Sequence, residues 1–521
     1  MREVGDKLPE SYNADVATES SLAQMSDWLT ECHSSHTLCR QEHVEFAPHR
    51  LLQIAAAKDE VTVRLTEHWQ GVGVKWAALS YVWGGDQSFK STIASVAGLK
   101  AGFGVNSLPQ TLKDAVAVCR GLSLEFHWVD SLCIIQDDPK DVARELASMP
   151  QIYRRAWVTI SASTAAGVSD GFLQRRCYVH RSAYGDAQIP ISLRYLAKNS
   201  SSRGEVIFLR NPCDRKEEPI NNRAWTYQER HLSPRVLDFK CNQVVLYCFT
   251  NKRCEGGGSL LEWYKDPNVH MENRLCSPYS NFRTITRWHE VVDDYTKRSL
   301  SFPLDKLTAL SAIADLYKDY TGHTYLAGLW KETLIYDLCW SSPGNLPPRP
   351  VEYRAPSWSW AAVDRGPILS STEKVYFLRE AHFYTKLALV VDVSIEQNPP
   401  DTTFGKIYDG FLTITAPVKW TECHHDDRRS SSTILKHPSD ARVSWDASLP
   451  DGYVDANVSV LAVLLMRRDY YAFTHHCGLA LVPASPGKYR RVGFLSHGFD
   501  EHAEENIRFY SSFEPQTITI I

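Results

Sequence analysis

Hydrophobic positions recur along this chain in two rhythms. Near the start the period is helical: Leu22, Met25, Trp28, Leu29 and Cys32 fall on one side of a helix predicted over Ser21–Cys39. The runs Val61–Leu65 and Trp76–Trp83 predict strands, the second closed by Gly84-Gly85-Asp86. A helical stripe of Leu112, Ala115, Val116 and Cys119 follows, with Ser107 as the expected N-cap, Pro109 near the first turn and Gly121 at the end. Phe126–Val129 predicts a strand. Asp138-Pro139 then opens a helix on which Val142, Leu146, Met149, Ile152 and Tyr153 share a side, and Trp157–Ser163 predicts another strand. Glu145 falls inside the apolar arc of that helix, so its carboxylate is expected to be buried. Pro150 is expected to kink or split the helix, because it removes a backbone donor. Strand, crossover helix and strand in this order predict an α/β domain with a parallel-type sheet, buried on both faces, whose chemistry is presented at strand ends.

Beyond it, residues 164–222 read as irregular. Organisation returns at Asn222–Arg230, a Ser233-Pro234 turn, and paired strands Val236–Phe239 and Val244–Cys248. Residues 250–285, with Gly256-Gly257-Gly258, read as a surface loop. Thr286–Tyr336 has a helical pattern and Pro343–Pro350 is a turn-rich connector. Lys386–Ile395, Gly410–Val418, Val458–Met466 and Gly478–Pro483 are β-type runs. The expected organisation is a helical lead (1–70), the α/β domain (71–250), a mostly helical middle region (251–370) and a β-rich C-terminal region (371–521).

A chain of 521 residues is too long for one core. A formal charge of −4 gives no case for nucleic acid, which needs a concentrated basic surface. Val458–Met466 is about half the length of a membrane span, and the N-terminus has no apolar leader, so a cytoplasmic protein is expected. The thirteen cysteines form no CxxC pair and read as buried thiols. On a continuous helix Cys32, His36 and Cys39 would share a face, but a structural zinc site wants four ligands and no fourth is evident nearby. Packing is the preferred reading and no metal is assigned. Cys423–Asp427 and His475–Cys477 match no usual ligand spacing.

No Walker A loop, GxGxxG, HExxH or GxSxG is present. Gly84-Gly85 after a strand reads as a turn, or as a place where backbone approaches a ligand. Asp130 and Ser131 follow a strand directly, where an α/β sheet opens on its ligand crevice. The alternative for Asp130 is an acceptor of N–H bonds from its own loop. Cys133, flanked by Leu132, Ile134 and Ile135, reads as an inert buried thiol. Glu145 is the leading acid/base candidate, since burial raises a carboxylate pKa. The competing reading is a buried ion pair with an arginine such as Arg223 or Arg230. Glu229 is a second carboxylate of the same kind.

Five stretches resemble the fungal heterokaryon-incompatibility (HET) domain: Ala78-Leu-Ser-Tyr-Val-Trp-Gly84, Leu108-Pro-Gln-Thr-Leu-Lys-Asp-Ala115, Trp128–Gln136, the helix carrying Glu145, Met149, Ile152-Tyr153 and Ala156, and Arg223–Glu229. Tyr325-x-Ala-Gly-Leu-Trp330, Ala355-Pro-Ser-Trp-Ser-Trp360 and Tyr489-Arg-Arg-Val-Gly493 are similar to companions of the domain in longer proteins. Val142 stands where the family often has Trp, and Pro150 departs from its helix. The resemblance implies non-self recognition and cell-death signalling, with a protein partner or self-association. It also suggests a TIR-like, flavodoxin-like fold. Some TIR domains cleave the nicotinamide from NAD with a glutamate, which makes a nucleotide (NAD) hydrolase, or a small-molecule enzyme of secondary metabolism, the alternative. The candidate catalytic residues are then Glu145 and Asp130, and the ligand-binding candidates are Ser80, Tyr81, Trp83, Gly84, Gly85, Ser131 and Cys133.

Overall fold

Alternation of buried strands and amphipathic helices builds the first of two compact units, Met1–Cys276 and Ser277–Ile521. The computed structural model describes residues 15–40, 46–57, 60–67, 73–175, 191–196, 203–208, 218–241, 243–255, 281–342, 347–364, 384–398, 406–425, 432–435, 441–447, 458–470, 473–500 and 502–521. The Gly256–Gly258 run and Asp426-Asp427 lie outside them.

The first unit runs α1 (Glu19–Ser35), β1 (Arg50–Ala57), β2 (Glu60–Glu67), β3 (Trp76–Ser80), α2 (Val96–Ala101), β4 (Phe103–Gly104), α3 (Gln110–Gly121), β5 (Phe126–Trp128), α4 (Asp130–Cys133), α5 (Pro139–Arg155), β6 (Val158–Ser161), β7 (Ile191–Leu196), β8 (Arg203–Phe208), α6 (Ala224–Leu232), β9 (Arg235–Phe239), β10 (Val244–Cys248) and β11 (Lys252–Cys254). Nine strands form one sheet in the order β11-β10-β9-β6-β3-β5-β1-β2-β4. Its centre, β5-β3-β6-β9, is parallel, and the strands on either side pair antiparallel. Every residue of β3, β6, β9 and β10 is buried, as a sheet covered on both faces requires. Chain order reverses at β3, whose neighbours are β5 and β6. In open α/β sheets such a reversal leaves a crevice at the carboxyl ends of the strands.

Several elements differ from expectation. The first helix ends before His36, which takes an extended conformation, and Thr37–Cys39 forms a separate 3-10 turn. Cys39 is therefore not on the helix of Cys32. Ser107 does not cap α3; its hydroxyl donates to Gly104 O at 2.7 Å, and Pro109 occupies the cap position without a side-chain bond. The helix α5 starts as its sequence dictates, Asp138 accepting from Lys140 N and Asp141 N. It is not split at Pro150: burial of Met149, Ile152 and Tyr153 on both sides of the proline holds it through the missing bond. The irregular stretch 164–222 contains the hairpin β7–β8.

In the second unit, the helices α7 (Asn281–Thr296), α8 (Ser311–Thr321) and α9 (Leu334–Asp337) surround a short hairpin of β12 (Tyr325–Leu326) and β13 (Leu329–Trp330). Positive φ at Ala327 and Gly328 makes its turn, and the indole N–H groups of Trp288 and Trp360 both donate to Gly328 O at 2.9 Å. The β-rich region is an antiparallel sheet that closes on itself. Its strands are β14 (Tyr384–Lys386), β15 (Leu389–Asn398), β16 (Lys406–His425), β17 (Ser432–Leu435), β18 (Arg442–Trp445), β19 (Val458–Tyr470), β20 (Phe473–Ser485) and β21 (Lys488–Asp500). The path from β19 through β20, β21, β18 and β17 to β16 ends where β16 pairs back with β19. After the short helix α10 (Glu504–Ser511), the last strand, β22 (Glu514–Ile520), pairs with β16. Arg491, fully buried on β21, binds Asp446 at 2.9 Å and the carbonyls of Leu338 and Trp340, stacked 3.6 Å from the Trp340 ring. No helix among the described residues is long and apolar enough to cross a membrane.

Candidate functional site

The carboxyl ends of β3 and β5 carry a connected set of polar side chains. Ser80, the last residue of β3, is buried, and so is Tyr81 after it. The Tyr81 hydroxyl donates to Ser131 Oγ at 2.9 Å and accepts from Gln87 Nε2 at 3.0 Å. Trp83, half-exposed, donates its indole N–H to Asp130 Oδ2 at 2.9 Å. Asp130 Oδ1 accepts from the N–H of Ser131 at 2.6 Å. The carboxylate thus serves its own loop with one oxygen and the facing loop with the other.

Gly84 takes φ +77°, and a Cβ there would stand 2.6 Å from Gly167 Cα. Its close approach is to the loop after β6, not to open space. Gly85, φ +126°, has open space where a Cβ would lie. The loop after β6 is held by α3: Thr111 Oγ1 donates to Gly167 O at 3.0 Å, and Asp114 accepts from Phe172 N at 2.7 Å and Leu173 N at 3.0 Å. Cys133 is wholly buried, and burial pushes its thiol up to about 12. That is the inert thiol its apolar neighbours imply.

Glu145 is buried as expected, 1% exposed, and burial raises its pKa. Its partner is Arg50 of β1, at 3.3 Å, rather than Arg223 or Arg230. Arg144 and His49 also approach, at 3.4 and 3.6 Å. Arg50 binds Asp141 as well and donates to Cys133 O, and Asp141 accepts from Ile135 N at 2.8 Å. Burial works against ionisation of Asp141, but Arg50 and these bonds hold its pKa below the usual range. The cluster ties the start of α5 to β1.

The helix α6 supplies the groups that complete the strand-end site. Eight of its residues, including Glu229 and Arg230, are buried. Arg230 pairs with Asp238 of β9, whose carboxylate also accepts from Ser163. Arg223, at the N-cap, donates to Tyr81 O at 2.8 Å, and its guanidinium lies 5.8 Å from the Trp83 ring centre. Glu229, 5% exposed, lies beneath. Burial lifts its carboxyl to about 7, against the opposing pull of the Arg223 charge and the Ser80 hydroxyl; the negative charge of Asp130 pushes it further up. The Tyr153 hydroxyl, which donates to Leu79 O at 2.9 Å, also bears on Glu229. Burial raises Asp130 too, with Arg223 as the main restraint.

A half-buried rim of Trp83, Asp130 and Arg223 therefore stands over a buried floor of Ser80, Tyr153 and Glu229. With burial raising its carboxyl toward neutrality, Glu229 is suited both to give and to take a proton. Of the sequence candidates, Ser80, Tyr81, Trp83, Asp130 and Ser131 meet here, whereas Glu145 is engaged with Arg50. Arg223, expected only as an ion-pair partner for Glu145, and Tyr153, expected only on the apolar side of α5, join them. The available signal is the adjacent Glu229-Arg230 pair in a short helix that also carries Ala224, Trp225, Tyr227 and Leu232, since buried charges are seldom without a task.

No curated protein and no solved structure matches the chain. Residues 76–229, from the first residue of β3 to Glu229 itself, match the family model described as Heterokaryon incompatibility protein (HET), so this stretch of the chain is a HET domain.

Proposed function

We propose that this protein acts in fungal heterokaryon incompatibility, as a non-self recognition protein that triggers cell death, and that its HET domain does so by hydrolysing a nucleotide, with NAD as the first substrate to test. The observation that carries the reading is Glu229, a carboxyl buried at the strand-end site with Arg223 and Asp130 as its charged neighbours, its pKa raised by burial. The strand order β5-β3-β6-β9 supports a TIR-like, flavodoxin-like arrangement, in which ligands bind at the point where chain order reverses. The Arg223 charge suits a nucleotide phosphate, and the Trp83 face suits a base. Glu229 takes a proton from water as the water oxygen bonds to the ribose carbon. The bond to nicotinamide breaks with its electron pair going to the ring nitrogen, which gives ADP-ribose, neutral nicotinamide and a proton. Glu145 is read here as a positioning residue for α5. Cytoplasmic location and self-association or a protein partner belong to the same proposal.

Nicotinamide release from NAD by the purified full chain is the test. Activity lost in Glu229→Gln with an unchanged unfolding transition supports the assignment. Activity that survives Glu229→Gln and disappears in Glu145→Gln would overturn it in favour of Glu145. Absence of turnover, together with toxicity on expression in a fungal host, would leave recognition without hydrolysis.

A further inference from the structure

Outside the strand-end site, one cluster of metal-ligating side chains stands out among the described residues. Cys32 at the end of α1, His36 beyond it, Cys39 in the following 3-10 turn and Cys248 at the end of β10 bring one ligand atom each to within 4.8 Å of one another. His36 Nδ1 is 3.4 Å from Cys248 Sγ and 3.9 Å from Cys39 Sγ. A tetrahedron with zinc–sulfur bonds of about 2.3 Å and a zinc–nitrogen bond of about 2.1 Å has edges of roughly 3.6–3.8 Å. The two His36 distances lie within a few tenths of an ångström of that range, and no pair exceeds 4.8 Å. The fourth ligand comes from a strand far along the chain.

The surroundings point the same way. The three cysteines are 0–4% exposed, as a closed structural site requires. The N–H of Asn251 donates to Cys248 Sγ at 3.1 Å, and Thr250 Oγ1 lies 3.6 Å from Cys39 Sγ. Such contacts orient and stabilise thiolates. Arg235 is fully buried, donates to Cys39 O at 2.9 Å and interacts electrostatically with all three cysteines. Among the described residues no carboxylate pairs with it; the charged-form partners it meets are the cysteines. A buried guanidinium needs a counter-charge. Three neutral thiols supply none, whereas three thiolates and one imidazole around a divalent ion carry a net single negative charge.

We propose that Cys32, His36, Cys39 and Cys248 bind one structural zinc ion. Soft thiolates with an imidazole in a tetrahedral set favour zinc over magnesium or calcium. Four protein ligands leave no open position, so the site is a clamp rather than a catalyst. It fastens the segment before the family match to the strand after it.

The test is the metal content of the untagged full chain purified from zinc-replete medium, measured by mass spectrometry of the elements. About one zinc per chain is expected, retained in Cys339→Ser and lost in Cys248→Ser. X-ray absorption of wild-type protein should show three sulfur ligands and one nitrogen, and cobalt substitution should give thiolate charge-transfer bands. These wild-type measurements decide the matter even if Cys248→Ser fails to fold. Wild-type protein without metal, a mapped disulfide between any two of the three cysteines, or zinc retained at full stoichiometry in Cys248→Ser would each overturn the proposal.

Discussion

Trp83 and Asp130 are joined by a single hydrogen bond of 2.9 Å, and through it the loop leaving β3 is tied to the loop leaving β5. Both residues belong to segments that also bear on Glu229, so the bond fixes the rim over the floor. Trp83→Phe keeps the aromatic surface and removes the donor. It should lower stability by about 1–3 kcal/mol, because a largely enclosed carboxylate oxygen loses its partner. Urea denaturation monitored by circular dichroism measures this, and an unchanged midpoint would show the bond to be redundant.

Glu229 should leave a signature in the pH dependence of folding. Its folded pKa of about 7 lies above the ordinary glutamate value of 4.5, so the folded state holds the proton more tightly. Its contribution is fully present below pH 4.5 and is lost as pH rises through 7, a swing on the order of 3 kcal/mol. Glu229→Gln should flatten the wild-type curve in that window and stabilise the protein at pH 8. Unfolding midpoints taken from pH 5 to 8 for both proteins provide the comparison.

His127 works with the opposite sign. It is buried on β5, neither ring nitrogen has a hydrogen-bond partner among the described residues, and burial lowers its pKa to about 3. A depressed histidine contributes stability above pH 6.5 that is lost as pH falls toward 3. In His127→Leu the titrating group is gone, so the variant should lose less stability than wild type on acidification from pH 6.5. Equal slopes for the two proteins would show that other groups govern the acid limb.

Arg50 stands between Asp141 and Glu145, both nearly inaccessible. Arg50→Met leaves those carboxylates buried without their main counter-charge and should cost about 3–5 kcal/mol. Glu145→Gln removes one of the two charges and should cost far less. Thermal unfolding at neutral pH distinguishes them, and a similar loss in both variants would contradict the asymmetry.

Gly84→Ala faces two penalties, a φ of +77° and a methyl 2.6 Å from the Gly167 backbone. The left-handed conformation alone costs about 1–2 kcal/mol, and the clash must add to it. Gly98→Ala, in α2, meets open space and should be neutral or mildly stabilising. Comparing the two transition midpoints separates the backbone contact from a general effect of removing glycine.

Much of the central sheet could be read from the chain because the local chemistry is unambiguous. The strand β3 is an apolar run stopped by two glycines, and α5 announces itself with Asp138 and Pro139. The strand β1 could not: Arg50-Leu-Leu-Gln-Ile-Ala-Ala-Ala has no alternation and ends in good helix formers, and only pairing with β2 and β5 makes it extended. The helical period puts Glu145 in the interior, where it is found, yet its partner Arg50 comes from that strand. Glu229 was visible as a carboxylate in a hydrophobic context, but what shifts it is Arg223, Ser80 and Asp130, whose convergence no local pattern encodes. Cys248 is the same lesson at longer range.

The mixed pairing of the first sheet sets the limits within which its core can be handled. Of that sheet, residues 76–229 contain β3, β4, β5 and β6 but omit β9, β10 and β11 on one side and, between β5 and β4, β1 and β2. A fragment cut to those bounds would expose unpaired donors and acceptors along both β5 and β6, a template for strand addition and aggregation. A soluble minimal version must reach from α1 through β11, so the inherited segment and the smallest self-sufficient body are different objects.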